Sequence, residues 1–173
     1  MITKKELALD FFENGILPAL YEIAEVEQQE VRPIIFSLKP AGETQGKPVY
    51  AASMSPLESD ADVAELLNIF IARGAVVAIH IGEAWGAELD PDEAKAAQAS
   101  GKRAKELGGG KEAVVVQIFC DDGTNGFCAI KIDTSSGRRT LDRDHKFVFH
   151  GEDGIELDGR MVASALSNGH TIN

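Results

Sequence analysis

The sequence lacks the short motifs that identify common enzymes and cofactor-binding proteins. It has no G-x-S-x-G nucleophile elbow, no H-E-x-x-H zinc motif, no dinucleotide-binding glycine fingerprint and no C-x-x-C pair. The four histidines, which are His80, His145, His150 and His170, do not have metal-ligand spacing. We therefore expect no metal site and no cofactor, and an enzyme is the less favoured class of protein.

Long apolar runs and positive charge are also scarce. No apolar run is long enough to cross a bilayer, and the first residues, Met-Ile-Thr-Lys-Lys-Glu, lack the apolar core of a signal peptide. These absences predict a cytoplasmic protein. The 28 acidic residues outnumber the 17 basic residues and give a formal net charge of −11. Such a charge argues against binding to nucleic acid or to an anionic membrane.

The clearest positive feature is the stretch 113–133, which predicts a β-hairpin. Two runs rich in β-branched residues flank the turn residues Asp-Asp-Gly-Thr-Asn-Gly. Side chains alternate between the two faces of a strand, so the pairing of the runs can be tested for consistency. Pairing Ile118 with Ile130 gives one apolar face and one mixed face, and we predict this register.

Only two cysteines occur, and the predicted register places Cys120 opposite Cys128. Directly opposed residues can come close enough to form a disulfide. The other interpretation is a pair of reduced cysteines that act as small apolar residues at the end of a core face. We favour the reduced pair, because nothing in the sequence indicates secretion.

Three helical regions can be placed from capping and periodicity. Thr3 to Glu6 has the pattern of a capping box, and residues 1–30 are predicted to be helical with a break at Asn14-Gly15. The acidic residues of this part are interpreted as a solvated outer face. Apolar residues from Val63 to Ile71 recur at helical spacing. The segment 90–110 is alanine-rich with few large apolar residues, which predicts a mobile helical insertion.

The remaining apolar segments predict a sheet. Besides the hairpin, the segments predicted as strands are 34–38, 48–54, 75–85 and 146–150. The third of these is nearly apolar on both faces up to Gly82, which is typical of a central strand. The strand, helix, strand order over 48–82 permits one parallel crossover. We predict a single α+β domain over 1–173, with a mainly antiparallel sheet of five to seven strands and helices on one face.

The end of the predicted central strand holds the candidate site residues. His80 lies in the strand, and Glu83 and Trp85 follow on a face that is otherwise apolar. A buried acid without a partner is unfavourable, and strand ends often border ligand sites in α/β folds. These three residues therefore define a candidate ligand pocket, to which Cys120 or Cys128 could contribute. The structural alternative is a buried, hydrogen-bonded histidine and an acid that meets water or caps a helix.

Several short motifs in this part of the chain also carry a resemblance to a known family. They are the amphipathic helix Val63–Ile71, the apolar strand Val76–Trp85 ending in Glu-Ala-Trp, the loop residue Pro91, and a strand beginning Glu112-Ala113-Val114. In this order they resemble a family of small, uncharacterised bacterial and phage α+β proteins. The resemblance covers roughly residues 60–133. It implies an α+β fold and no particular activity.

The sequence as a whole favours a non-enzymatic accessory or protein-interaction protein. The expected partner is another protein or a second copy of the chain, and the resemblance implies a phage or mobile-element origin. One alternative is a small-molecule-binding protein or enzyme with a pocket near His80, Glu83 and Trp85. A second alternative is an acidic surface that mimics nucleic acid and blocks a basic partner.

Overall fold

The computed structural model describes residues 1–58, 62–86, 91–101 and 111–154. The helices are α1 (Lys4–Asp10), α2 (Leu17–Tyr21), α3 (Val63–Ala72) and α4 (Pro91–Ser100), and π-helical turns over Phe11–Ile16 and Glu22–Val26 continue α1 and α2. The strands are β1 (Ile34–Thr44), β2 (Lys47–Pro56), β3 (Val77–Gly86), β4 (Lys111–Cys120), β5 (Asn125–Asp133), β6 (Thr140–Leu141) and β7 (Val148–Phe149). The predicted insertion 90–110 is described only over residues 91–101, where it forms α4 as a helix, and its expected mobility stays a prediction.

The chain begins with an almost continuous helical run from Lys4 to Val26, which we call the N-terminal helical run. The predicted capping box starts it: the Thr3 hydroxyl accepts the Glu6 N–H at 3.1 Å, and the Glu6 carboxylate accepts the Thr3 N–H at 2.7 Å. The predicted break at Gly15 is wrong, because the chain passes through this residue in a π-helical turn. The run ends before Gln28, whose φ of 56° is the left-handed conformation common after helices.

The strands of the described residues form one sheet in the order β2-β1-β3-β4-β5-β6, and β7 also pairs with β5. Every strand pair in this part of the chain is antiparallel. The predicted α+β class with a mainly antiparallel sheet is therefore confirmed. Because β2 and β3 both run antiparallel to β1, they point in the same direction. They are not neighbours, so the connection through α3 creates no parallel pair.

Helices cover both faces of the sheet, whereas the sequence predicted helices on one face. Ile79 and Ile81 of β3 pack with the N-terminal helical run, and we call this side the N-terminal face. Ala78, which points the other way, packs with Val63 and Leu67 of α3 on what we call the α3 face. Burial on both sides explains why β3 is apolar at almost every position.

The β4–β5 hairpin has the predicted faces but a different register. Ile118 lies opposite Gly126 rather than opposite Ile130, which pairs with Val114 instead. The predicted register is therefore wrong by the four residues that separate Gly126 from Ile130. An even shift keeps each side chain on its face, so the aliphatic residues still point into the core.

The turn explains the register. The Cys120 N–H donates to the Thr124 carbonyl at 2.9 Å, and Gly123 takes a φ of 88°. A three-residue loop with glycine in the left-handed conformation is a common hairpin closure, and it is shorter than the loop that the sequence predicted. Cys128 consequently lies opposite Val116, so the predicted pairing of the two cysteines is wrong.

Gly126 lies beneath the aromatic ring of Phe149 on the neighbouring strand. A Cβ atom at Gly126 would lie 2.6 Å from Cε1 of Phe149, a side chain that is only 5% exposed. Replacing Gly126 by alanine is therefore expected to lower the free energy of unfolding by about 1–3 kcal/mol, measured by urea denaturation.

Gly82 provides the matched control for this substitution. It is also a strand glycine without a positive φ, but a Cβ atom there would meet its nearest neighbours at an ordinary contact distance of 3.6 Å. Gly82→Ala should therefore leave stability nearly unchanged. If both alanine variants lost the same stability, the close approach of Phe149 would not be the cause.

Candidate functional site

The three predicted site residues all belong to β3, but the strand does not bring them into one pocket. Glu83 shares the N-terminal face with Ile81, whereas His80 shares the α3 face with Ala78. The backbone of Trp85 pairs with β4, and its side chain lies outside the described part of the structure. His80 and Glu83 are therefore parts of two separate environments on opposite sides of the sheet.

Glu83 is held by a backbone N–H and by an arginine. Its Oε1 atom accepts the Val31 N–H at 2.8 Å and pairs with Nη2 of Arg139. The other terminal nitrogen of Arg139 lies 4.0 Å from Oε1 of Glu112. Only 4% of the Glu83 side chain and 19% of the Arg139 side chain are exposed. Within the described residues, Glu83 Oε2 and Arg139 Nε have no hydrogen-bond partner.

This environment moves the titration of Glu83 toward neutral pH. Burial raises the pKa of Glu83 to about 7; the Val31 N–H and Arg139 oppose the rise, and the Glu112 carboxylate adds to it. A carboxyl group that titrates near neutral pH beside a guanidinium is a candidate for proton transfer. Here the same carboxyl group also joins β3 to the chain around Arg139, so it has a structural role.

Arg139 belongs to the segment 138–143, which is tied to the end of the N-terminal helical run. The Gln28 side chain bonds the Arg139 backbone in both directions, accepting its N–H at 2.7 Å and donating to its carbonyl at 3.1 Å. The Glu25 carboxylate accepts the Leu141 N–H at 2.7 Å and both terminal nitrogens of Arg143 at 2.6–2.7 Å. The hydrogen bonds from Arg143 lower the pKa of Glu25.

Sequence reasoning missed Glu25, Gln28 and Arg139. It assigned the acids of the first thirty residues to a solvated helix face, but the Glu25 side chain is only 17% exposed. No local pattern could have identified these residues, because their partners lie 111 to 118 positions away in the chain.

His80 is buried among the side chains of the α3 face. It is 2% exposed, and Gln117, directly opposite on β4, is 1% exposed. Within the described residues, His80 Nδ1 and Gln117 Oε1 have no hydrogen-bond partner. Burial lowers the pKa of His80 to about 4, so the ring is neutral at neutral pH.

The raised pKa of Glu83 and the lowered pKa of His80 should have opposite effects on how stability depends on pH. Folded Glu83 keeps its proton to about pH 7 and unfolded Glu83 to about pH 4.5, so its contribution to stability falls as pH rises through this interval. Unfolded His80 takes up a proton near pH 6.5 but folded His80 only near pH 4, so its contribution falls as pH decreases. Because the two nearly cancel between about pH 5 and 6.5, Glu83→Gln should convert a nearly flat profile into one that rises with pH.

Urea denaturation at several pH values tests this expectation, with His80→Gln as the opposite control. The histidine variant should lose stability as pH rises over the same interval. If Glu83→Gln and the unmodified protein had parallel profiles, the displaced titration of Glu83 would be disproved.

The two cysteines are not placed to act as nucleophiles. Both are free and buried, and burial raises the pKa of each thiol to about 12. The thiolate is the reactive form, and it is almost absent at neutral pH with such a pKa. Cys120 and Cys128 pack on the N-terminal face, whereas His80 lies on the α3 face, so the histidine is not placed to activate either thiol.

The outer edge of β2 is a different kind of site. Among the described strands, β2 pairs only with β1. Nearly all of its residues are exposed, including Met54 at 60% and Val49 at 40%. Between Lys47 and Glu58 the sequence has no charged residue. Charged residues or prolines usually protect edge strands from pairing with another chain, and β2 has them only at its ends, as Lys47, Pro48 and Pro56.

The part of the chain that the structure describes contains neither a cluster of potential metal ligands nor a helix that could span a membrane. No group of three or more His, Cys, Asp or Glu side chains is placed there to hold a metal ion. None of its helices is both long enough and apolar enough to cross a bilayer. Comparison with protein-family models, with curated proteins and with solved structures found no match. The resemblance noted over residues 60–133 therefore stays a prediction.

Proposed function

We propose that this chain is a protein-interaction protein that binds its partner through the open edge of β2. The observation that carries the proposal is an exposed edge strand of ten residues, Lys47–Pro56, with no charge after its first residue. An extended segment can join such an edge through main-chain hydrogen bonds. The exposed Val49 and Met54 side chains add apolar surface on the two faces.

The hydrogen bonds of β1 indicate which backbone groups of β2 are available. The Leu38 carbonyl accepts the Val76 N–H at 2.8 Å, so Leu38 points toward β3 and away from β2. Its partner Ala52 therefore also points away from β1, toward the open edge. By alternation, the N–H and C=O groups of Tyr50 and Met54 point outward as well.

In the part of the chain that the structure describes, the packing of the helices leaves this edge accessible. α1 and α3 contact β3 and β4 from opposite faces. β1 lies between β3 and β2, so β2 is the strand furthest from both helices on this side of the sheet. A partner strand can approach β2 without displacing either helix.

Site-specific photo-crosslinking in an extract of the source cells tests the proposal. A benzophenone amino acid at Met54 should crosslink to a protein, whereas the same group at Lys131, an exposed residue of β5, should not. Ala52→Pro removes an outward N–H and should reduce the Met54 product by about tenfold. Ala52→Val retains the N–H and should not reduce it. The proposal fails if Met54 gives no product, or if Lys131 gives the same one.

A further inference from the structure

We infer that the occupant of the β2 edge is a second copy of this chain, paired antiparallel about Ala52. The inference rests on the proposed function of β2 as the interaction edge. It goes further because it names the partner and the register. The outward-pointing positions of β2 are symmetric about Ala52, and their side chains are compatible with this pairing.

Two identical antiparallel strands in one sheet are related by a two-fold axis perpendicular to the sheet. Such an axis places one residue opposite its own copy, and the outward-pointing positions of both strands then meet as hydrogen-bonded pairs. If that residue is Ala52, Tyr50 meets Met54 of the second copy and Met54 meets its Tyr50. Each of these pairs can exchange two main-chain hydrogen bonds.

Two prolines mark the ends of this symmetric segment. Pro48 and Pro56 lie four positions before and after Ala52 and also point outward, as the alternation along β2 requires. Proline has no N–H, so neither residue can donate across the edge. In the register centred on Ala52 the two prolines lie opposite each other, and every outward N–H between them finds a carbonyl.

Neighbouring registers are poorer. Centring the pairing on Ala51 places Met54 opposite Pro48 of the second copy, and centring it on Ser53 places Tyr50 opposite Pro56. Centring it on Tyr50 or on Met54 places Ala52 opposite one of the two prolines. In each case a carbonyl between the prolines faces a residue without an N–H, and no hydrogen bond forms there on either side of the axis. The positions of the prolines therefore select the register centred on Ala52.

The side chains are compatible with this register. Tyr50, Ala52 and Met54 lie on the N-terminal face, because their partners on β1 are Pro40, Leu38 and Phe36, and Leu38 belongs to that core. Small Ala52 at the centre leaves room for its own copy. Tyr50 is half-buried and Met54 is 60% exposed, so each can pack on the other across the contact between the two β2 strands.

The charge of the protein does not oppose the contact locally. Each chain has a formal net charge of −11, but residues 48–57 contain no charged side chain. No pair of like charges therefore meets within the paired segment. The two-fold axis places both N-terminal helical runs on the same face of the combined sheet. In each copy α1 contacts β3 and β4, and β1 separates these strands from β2.

Sedimentation of the purified full chain measures the association. The unmodified protein should form a dimer in a concentration-dependent manner. Ala52→Pro should raise the dissociation constant at least about tenfold, and Ala52→Val should change it by less than about threefold. Unchanged urea midpoints would show that both variants fold. A dimer that persists in Ala52→Pro would have another interface, and the inference would be wrong.

Disulfide trapping tests the register. In a hydrogen-bonded antiparallel pair the Cα atoms lie about 5.5 Å apart, within the range of a disulfide. Ala52→Cys should therefore crosslink to itself under mild oxidation. Tyr50→Cys and Met54→Cys should crosslink when mixed, and much less when oxidised separately. The native Cys120 and Cys128 are buried and do not compete.

The outcomes separate this inference from the proposed function. A protein that stays monomeric at about 100 μM, with no self-crosslink at Ala52→Cys, would overturn the inference. If the benzophenone at Met54 still captured a different protein in an Ala52-dependent manner, the proposed function would stand and the occupant would be that protein's strand. If Met54 captured nothing, both would fail.

Discussion

Replacing Arg139 by methionine is expected to lower the free energy of unfolding by about 3 kcal/mol at pH 8. Methionine retains apolar length but leaves the Glu83 carboxyl group, 4% exposed, without its cation. Removing one partner of a buried ion pair typically costs about 3–5 kcal/mol. We place the loss at the low end because 19% of the arginine side chain reaches solvent, where water partly screens the pair. Urea denaturation at pH 8 measures it.

The loss should be smaller at pH 5 by about 1 kcal/mol, because pH 8 lies only about one unit above the pKa of Glu83. Glu83, with a pKa of about 7, then carries a proton and no longer needs a cation. Arg138→Met is the matched control, because Arg138 is exposed and donates one 3.3 Å hydrogen bond to the Glu25 carbonyl. Its replacement should cost less than about 1 kcal/mol at either pH. Equal losses at the two arginines would contradict the importance assigned to the Glu83–Arg139 pair.

Replacing Phe12 by alanine should lower the free energy of unfolding by about 3–5 kcal/mol. The Phe12 side chain is completely buried where the N-terminal helical run meets the chain before β7. Its ring makes edge-on contacts with Phe147 at 5.1 Å and with His145 at 6.3 Å between ring centroids. The truncation removes this apolar surface and leaves a cavity that the surrounding residues fill only in part. Chemical denaturation measures the loss.

The adjacent residue supplies the control. Phe11 is only partly buried and contacts Phe36 edge-on at 6.5 Å, so Phe11→Ala should cost about 1–2 kcal/mol. Combining Phe12→Ala with Phe147→Ala should give a coupling energy of about 0.5–1.5 kcal/mol. If Phe11→Ala were as damaging as Phe12→Ala, the helical run would not pack as described.

The sequence predicted those parts of the fold whose signals are local. The Thr3–Glu6 capping box and the apolar stripe of α3 depend on residues three or four positions apart, and both elements are present. The hairpin register was wrong because alternation alone cannot choose between even shifts. Opposite Ile118, position 126 and position 130 satisfy the two faces equally well. The left-handed turn at Gly123 makes the choice, and turn geometry was the weaker signal in the sequence.

The candidate site was also predicted only in part, and the part that was missed again depends on residues distant in the sequence. His80 and Glu83 are visible in the sequence because polar residues interrupt an apolar strand. Their grouping into one pocket does not hold in the structure, since side chains at an even and an odd position of a regular strand point to opposite faces. Arg139 was not found because only the folded chain brings it to Glu83, 56 residues earlier in the sequence.

The attachment of the N-terminal helical run also determines the order in which the protein can be completed during synthesis. Its side-chain bonds reach Asp121, Arg143 and Glu152, so the run is held in place by residues that are synthesised well after it. At about 5–20 residues per second, the helices wait roughly 6–25 s for these partners. During that time the apolar side chains of the run lack the strands that bury them in the folded protein.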